Sequence, residues 1–413
     1  MAGVRARRRP IALGAALLLV ALVSADIAAW SIHGAAPGAT PGSSPGATGT
    51  GAAPGGPSTS IASPAAASPA ASGMDLPAPA GVAPALPTCP AETQQFPAGY
   101  TAYHTYTELC EAIVAAARAH PAISRLFSIG TSDKGRQIWA MEISTHLTDG
   151  THPPGVLFDG LTHGLEHLSL EMPLAIMGWL LNGYGSSTTI TNLVRTRAIF
   201  IVFDVNPDGA AYDIAGGVFH QWRKNRQPNA NGSIGTDINR NYADHWGCCG
   251  LVSSNPSSGY YKGTAPFSTP EAAAVEHFVQ SLVFGGRQEI RASISFHASG
   301  RLVMWPYGYT TAAIPSDMTA VDHSIFVALG RHMASLNGYR PEQASSLYID
   351  SGTARDWYYG KNGIYAFTFE LGTGTYQPSS AIAPELSRNR AAVLYLIEMA
   401  GCPYQATKGA THC

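Results

Sequence analysis

His163 and Glu166 stand three residues apart in Leu161-Thr-His163-Gly-Leu-Glu166-His167, directly after the apolar run GVLFDG. In a helical turn, side chains at i and i+3 fall on one side, so both can reach one ion. His297 follows the run ASISF, and Glu370 follows YAFTF. A carboxylate or imidazole directly after apolar β-type residues calls for something charged to receive it. His163, Glu166 and His297 make a His2Glu set, the ligand type of a zinc ion that keeps an open position for water. Glu370 is then a spare carboxylate, available as general base. The chemistry expected is hydrolysis by a metal-activated water, with one Zn2+ per chain. A second reading uses the same segment. His163-Gly-Leu-Glu166-His167 also fits H-x-x-E-H, in which His163 and His167 bind metal and Glu166 is the base.

The elements that must position these groups alternate along residues 89–413. Strands are predicted at 124–129, 137–144, 155–159, 197–205, 290–297 and 364–370. Helices are predicted at 106–119, 168–182, 269–284, 318–336 and 382–400. Ser268-Thr269-Pro270-Glu271 is a helix start, with a hydroxyl cap and Pro at the first helical position. Gly401 marks the stop of the last helix. Interleaved strands and helices argue for an α/β domain with a buried central sheet. Two early strands with no helix between them make that sheet mixed. In open α/β sheets the active crevice lies beyond the carboxyl ends of strands, which is where His163, His297 and Glu370 fall.

The chain has 413 residues, of which 45% are hydrophobic and 13% charged, with a formal charge of −2. That composition buries a sizeable core and excludes a wholly disordered chain. There is no basic field to attract nucleic acid. No apolar run long enough to span a bilayer follows the N-terminus. Arg5, Arg7, Arg8 and Arg9, then IALGAALLLVALVSA, then the small-residue site Val23-Ser24-Ala25, read as a signal peptide over 1–25 with cleavage after Ala25. An uncleaved anchor reaching Trp30 is the alternative. Residues 26–88 are Ala, Pro, Gly, Ser and Thr with almost no charge. They read as a disordered linker, since they have no apolar face to offset ordering entropy. Residues 89–413 are one domain. The expected product is secreted and monomeric, with no nucleic-acid partner. Six cysteines in an exported chain suggest structural disulfides.

Further motifs extend the pattern. In order they are Asn206-Pro-Asp-Gly209, Trp222-Arg223-Lys-Asn-Arg226, Gly235-Thr-Asp237-Ile-Asn239-Arg240-Asn241, Ser295-Phe-His297, Pro306-Tyr-Gly308, Leu347-Tyr348, Asp356-Trp357 and Phe367-Thr-Phe-Glu370-Leu371. Together with His163-Gly-Leu-Glu166 they resemble the zinc carboxypeptidase family of the carboxypeptidase A type, over most of residues 95–400. The resemblance implies that His163, Glu166 and His297 are the zinc ligands and Glu370 the base. It implies that Arg223 polarises the scissile carbonyl. Asn239 and Arg240 would hold the substrate's terminal carboxylate, Tyr348 would close over it, and Asp237 would orient the first His ligand. Physical chemistry supports the set. A bidentate guanidinium suits a planar carboxylate better than Lys does, and a fixed cation belongs where oxyanion charge grows.

The chain departs from the family at Leu165, where Arg is common, and at Thr269, where an acidic residue is common. No folded pro-region is visible. Arg355 occupies the position resembling the floor of the terminal side-chain pocket, so charge complementarity predicts C-terminal Glu or Asp. Pairing of Arg355 with Asp350 would cancel that preference. The partner expected is a peptide or protein with a free C-terminus. Two rival functions share the fold: hydrolysis of D- or γ-linked cell-wall peptides, and non-catalytic peptide binding.

Overall fold

The computed structural model describes residues 86–407. The predicted signal peptide, nearly all of the predicted linker, and Cys413 lie outside the described residues. In chain order the elements are α1 (Tyr106–Ala119), β1 (Ser124–Thr131), β2 (Gln137–Ile143), β3 (Gly155–Asp159), α2 (Leu168–Gly183), α3 (Thr188–Thr196), β4 (Ala198–Val202) and α4 (Pro207–Asp213). They continue with α5 (Pro270–Ser281), β5 (Val283–Phe284), β6 (Arg287–Gln288), β7 (Ile290–His297), β8 (Leu302–Trp305), α6 (Ala320–Asn337), β9 (Arg340–Gln343), α7 (Ala354–Asn362), β10 (Tyr365–Glu370) and α8 (Ile382–Met399).

Eight strands form one sheet in the order β1-β2-β4-β3-β7-β10-β8-β9. The middle four, β4-β3-β7-β10, are mutually parallel, while β1, β2 and β8 run antiparallel to a neighbour. The sheet is therefore mixed, as expected. Its centre is apolar on both faces because strand side chains alternate. Val156 and Phe158 join the core cluster with Leu180 of α2, Leu329 of α6 and Leu396 of α8. Leu157 joins the opposite cluster with Val275 of α5 and Trp357 of α7. Helices thus cover both faces.

Caps and cores explain the boundaries. Thr105 and Glu108 form a capping box that starts α1, and Leu109, Cys110 and Ile113 bury its inner face. Thr269 caps α5 with Pro270 following, as the sequence predicts. β4 is shorter than the predicted 197–205, because Asp204 and Asn206 leave the ladder and Asn206 caps α4. The helix α3 was not predicted: its Thr-rich start reads as loop, yet Ser187 caps it and Ile190, Leu193 and Val194 are buried. α7 likewise lies outside the predicted helices, since its aromatic residues Trp357, Tyr358 and Tyr359 are consecutive and show no helical period. α8 ends at Met399 and is capped by Ala400, one residue before Gly401. Cys89 bonds Cys110, Cys248 bonds Cys249, and Cys402 is also disulfide-bonded. No described helix is long and apolar enough to cross a membrane.

Candidate active site

β3, β7 and β10 are adjacent and parallel, so their carboxyl ends open onto one edge of the sheet. Register sets Asp159 beside Ser295 and His297 beside Glu370. The chain leaves β3 through a tight loop that carries His163 and Glu166, closed by the Glu166 N–H donating to the His163 carbonyl at 3.0 Å. Gly164 is required there by close approach. A Cβ would lie 2.4 Å from the Gly209 carbonyl carbon in α4.

The three predicted ligands converge. His163 Nδ1 lies 2.7 Å from Glu166 Oε1, His297 Nδ1 lies 2.9 Å from Glu166 Oε2, and the two Nδ1 atoms are 3.1 Å apart. All three side chains are buried. Two zinc-bound nitrogens at tetrahedral angles stand about 3.3 Å apart, so this donor set fits a zinc ion. Asp237 Oδ1 lies 3.4 Å from the other ring nitrogen of His163, on the side away from the donor cluster. Burial pushes the Glu166 carboxyl up, but the His163 and His297 charges outweigh it and hold it below the usual range.

His167 does not join them. Its Nε2 lies 2.9 Å from Asp213 Oδ2, and Phe96 meets the ring edge-on. Among the described residues the one metal-competent cluster is His163, Glu166 and His297. The H-x-x-E-H reading would need His167 at this cluster, and its ring lies against Asp213 and Phe96 instead.

Of the other predicted residues, Arg223, Asn239, Tyr348, Arg355 and Glu370 line one cavity with this cluster, whereas Arg240 and Asp237 do not line it. Burial and the charge of Glu166 push the Glu370 carboxyl well above its ordinary value. Arg223 Nε donates to Asp237 Oδ2 at 2.9 Å, while its buried Nη2 has no partner. Burial raises the Asp237 carboxyl, but the Arg223 charge and the His163 hydrogen bond hold it far below the usual range. Arg240 is fully buried. Its Nε donates to the Leu251 carbonyl and its Nη1 to the Asn239 carbonyl, each at 2.7 Å, and its Nη2 is unpartnered. Asn239 Oδ1 accepts from the Ala354 N–H at 2.9 Å. Tyr348 is 38% exposed, with its ring 5.9 Å from the Arg240 guanidinium.

A cavity of about 260 Å³ is lined by His163, Glu166, Arg223, Asn239, His297, Tyr348, Arg355 and Glu370. A wider depression of about 700 Å³, around His146 and Arg195, contains none of them. Arg355 is not free: its Nε donates to Asp356 Oδ1 at 2.9 Å and its Nη2 to Asp350 Oδ1 at 3.3 Å. Asp350 also sits 3.6 Å from Arg240. Burial and the charge of Asp350 push the Asp356 carboxyl up to about 6, against the pull of Arg355. Sequence reasoning missed the cavity walls formed by Met304, Ala344 and Thr368. Thr368 carried a usable signal, because two residues before Glu370 on a strand is the same face.

A mixed, doubly covered sheet with a His2Glu donor set and a spare carboxylate at its carboxyl edge defines a metal-dependent hydrolase. Residues 109–392 match the family model described as zinc carboxypeptidase. The chain is 42% identical over 315 residues to a zinc carboxypeptidase of Saccharothrix mutabilis subsp. capreolus, covering 75% of this chain and 72% of that one. It is 32% identical over 308 residues to carboxypeptidase A1 of Rattus norvegicus, covering 72% and 70%. The structure of thrombin activatable fibrinolysis inhibitor superposes with a TM-score of 0.66 at 28% identity, covering 72% and 74%. The chain belongs to the zinc carboxypeptidase family, and it is a metallocarboxypeptidase acting on peptides.

Proposed function

We propose that this enzyme removes single C-terminal residues from peptides at a zinc held by His163, Glu166 and His297. The observation that carries the reading is the convergence of two imidazole Nδ1 atoms and one carboxylate within 3.1 Å of one another. When bound, the zinc supplies a Lewis acid and lowers the pKa of its water to about 7. Glu370 takes the proton of the attacking water and returns it to the leaving amine. The unpartnered Nη2 of Arg223 donates to the carbonyl oxygen as negative charge grows there. The unpartnered Nη2 of Arg240 and the Asn239 amide hold the terminal carboxylate, which sets the bond presented for cleavage. Tyr348, at the rim, covers the bound end.

The finer reading concerns the terminal side chain. Arg355 at the pocket floor makes no hydrogen bond through Nη1, and this donor supports a preference for C-terminal Glu or Asp. A second reading follows from Asp350 and Asp356, which outnumber Arg355 and favour Lys or Arg instead. Matched peptides ending in Glu, Phe and Lys decide between them. Export of a monomer with a cleaved leader and a spacer over 26–88 completes the proposal. Mature N-terminal sequencing of secreted material tests it, and a first residue other than Asp26 would refute the cleavage site.

A further inference from the structure

Arg240 can anchor a carboxylate only if its free Nη2 points at the cavity. A guanidinium is planar, so fixing Nε and Nη1 fixes Nη2. The Nη1 acceptor is the carbonyl of Asn239, its chain neighbour, and travels with it. The Nε acceptor is the Leu251 carbonyl, eleven residues on, in a segment without regular helix or strand. The position of Leu251, together with the Asp350 carboxylate 3.6 Å from Nη1, therefore sets the aim of the anchor.

Leu251 is held by a short stitched loop. Its N–H donates to the Ile349 carbonyl at 2.7 Å. Gly250, at φ +75°, lies so close that a Cβ would stand 2.0 Å from the same carbonyl oxygen. The Ser351 hydroxyl donates to the Cys249 carbonyl at 3.0 Å, and Cys249 Sγ rests 3.5 Å from the Tyr309 carbonyl oxygen. Immediately before these contacts, Cys248 and Cys249 are bonded to each other. A disulfide between sequence neighbours closes a small ring around one peptide unit and removes its rotational freedom. The strand of contacts it meets, 349–351, lies between Tyr348 and the Arg355 pocket.

We infer that the Cys248–Cys249 ring is a positioning device: it holds the Leu251 carbonyl, and through it Arg240, for recognition of a free C-terminal carboxylate. This rests on the proposed role of Arg240. No role in the chemical step is assigned to either cysteine.

The test compares inhibition of the zinc-loaded enzyme by an N-acetylated amino acid and by its C-terminal amide. The native enzyme should bind the acid more tightly than the amide. The double variant Cys248→Ser/Cys249→Ser should lower that acid-over-amide ratio about tenfold, the size of weakening one charge-assisted hydrogen bond, with zinc content unchanged. Ser351→Ala should lower it in the same direction should the double variant fail to fold. Cys89→Ser/Cys110→Ser is the control, expected to lose thermal stability and keep the ratio. An unchanged ratio in the Cys248/Cys249 and Ser351 variants overturns the inference, as does an equal fall in the control. Arg240→Gln separates the two layers. If it leaves the ratio intact, the anchor reading itself fails. If it collapses the ratio while the cysteine variant does not, only the positioning role fails.

Discussion

Glu370 and His297 are register partners on adjacent parallel strands, β10 and β7. Side chains at paired positions share a sheet face, so the spare carboxylate is set beside a metal-competent imidazole by backbone pairing alone. The proposed division between binding metal and activating water rests on this pairing. Glu370→Gln should keep stoichiometric zinc and lose turnover by about 10²- to 10⁴-fold, the range for a general base. Metal analysis beside kcat checks it, and loss of zinc in this variant would place Glu370 among the ligands.

His163 and His167 make a sharp pair. His163→Ala should abolish zinc binding together with activity. His167→Ala should keep zinc and instead cost about 1–3 kcal/mol of stability, because it breaks a buried contact to Asp213. Chemical denaturation with metal analysis measures both. Removal of the metal from the native enzyme by chelator should stop peptide trimming, and added zinc should restore it.

Asp350 lies between Arg240 and Arg355. Asp350→Asn removes one negative charge from the pocket floor and frees a guanidinium. It should shift kcat/KM toward peptides ending in Glu relative to Lys by about tenfold, or about 1.4 kcal/mol. An unchanged Glu-to-Lys ratio would remove Arg355 and Asp350 from the specificity pocket.

Glu289 is buried at the start of β7, facing Glu142, Arg125 and, at 3.6 Å, His152. Burial and the charge of Glu142 push its carboxyl up to about 8. A carboxyl raised on folding stabilises in its protonated form. Its contribution is fully present below the unfolded value of 4.5 and is lost as pH rises through about 8. Denaturant unfolding at pH 5, 7 and 9 should show this decline. Glu289→Gln should remove on the order of 2 kcal/mol of it between those limits. A native-to-variant difference that is flat with pH would contradict the burial cost.

The chemistry of this chain was written locally. Polar groups at the ends of apolar runs named His163, Glu166, His297 and Glu370, because a strand end is a position that sequence periodicity can locate. The Thr269-Pro270 start was legible for the same reason, since it is made by adjacent residues. Elements whose stability comes from burial against distant partners, such as α3 and α7, were not. Tertiary structure placed His297, and not His167, beside His163 and Glu166. It also gave the Arg355 charge to Asp350 and Asp356, and set the Leu251 carbonyl on Arg240. Each of those outcomes depends on which strands are neighbours and which loops cross them. A side chain's type determines what it can do, but the charge it meets across the sheet edge determines what it does.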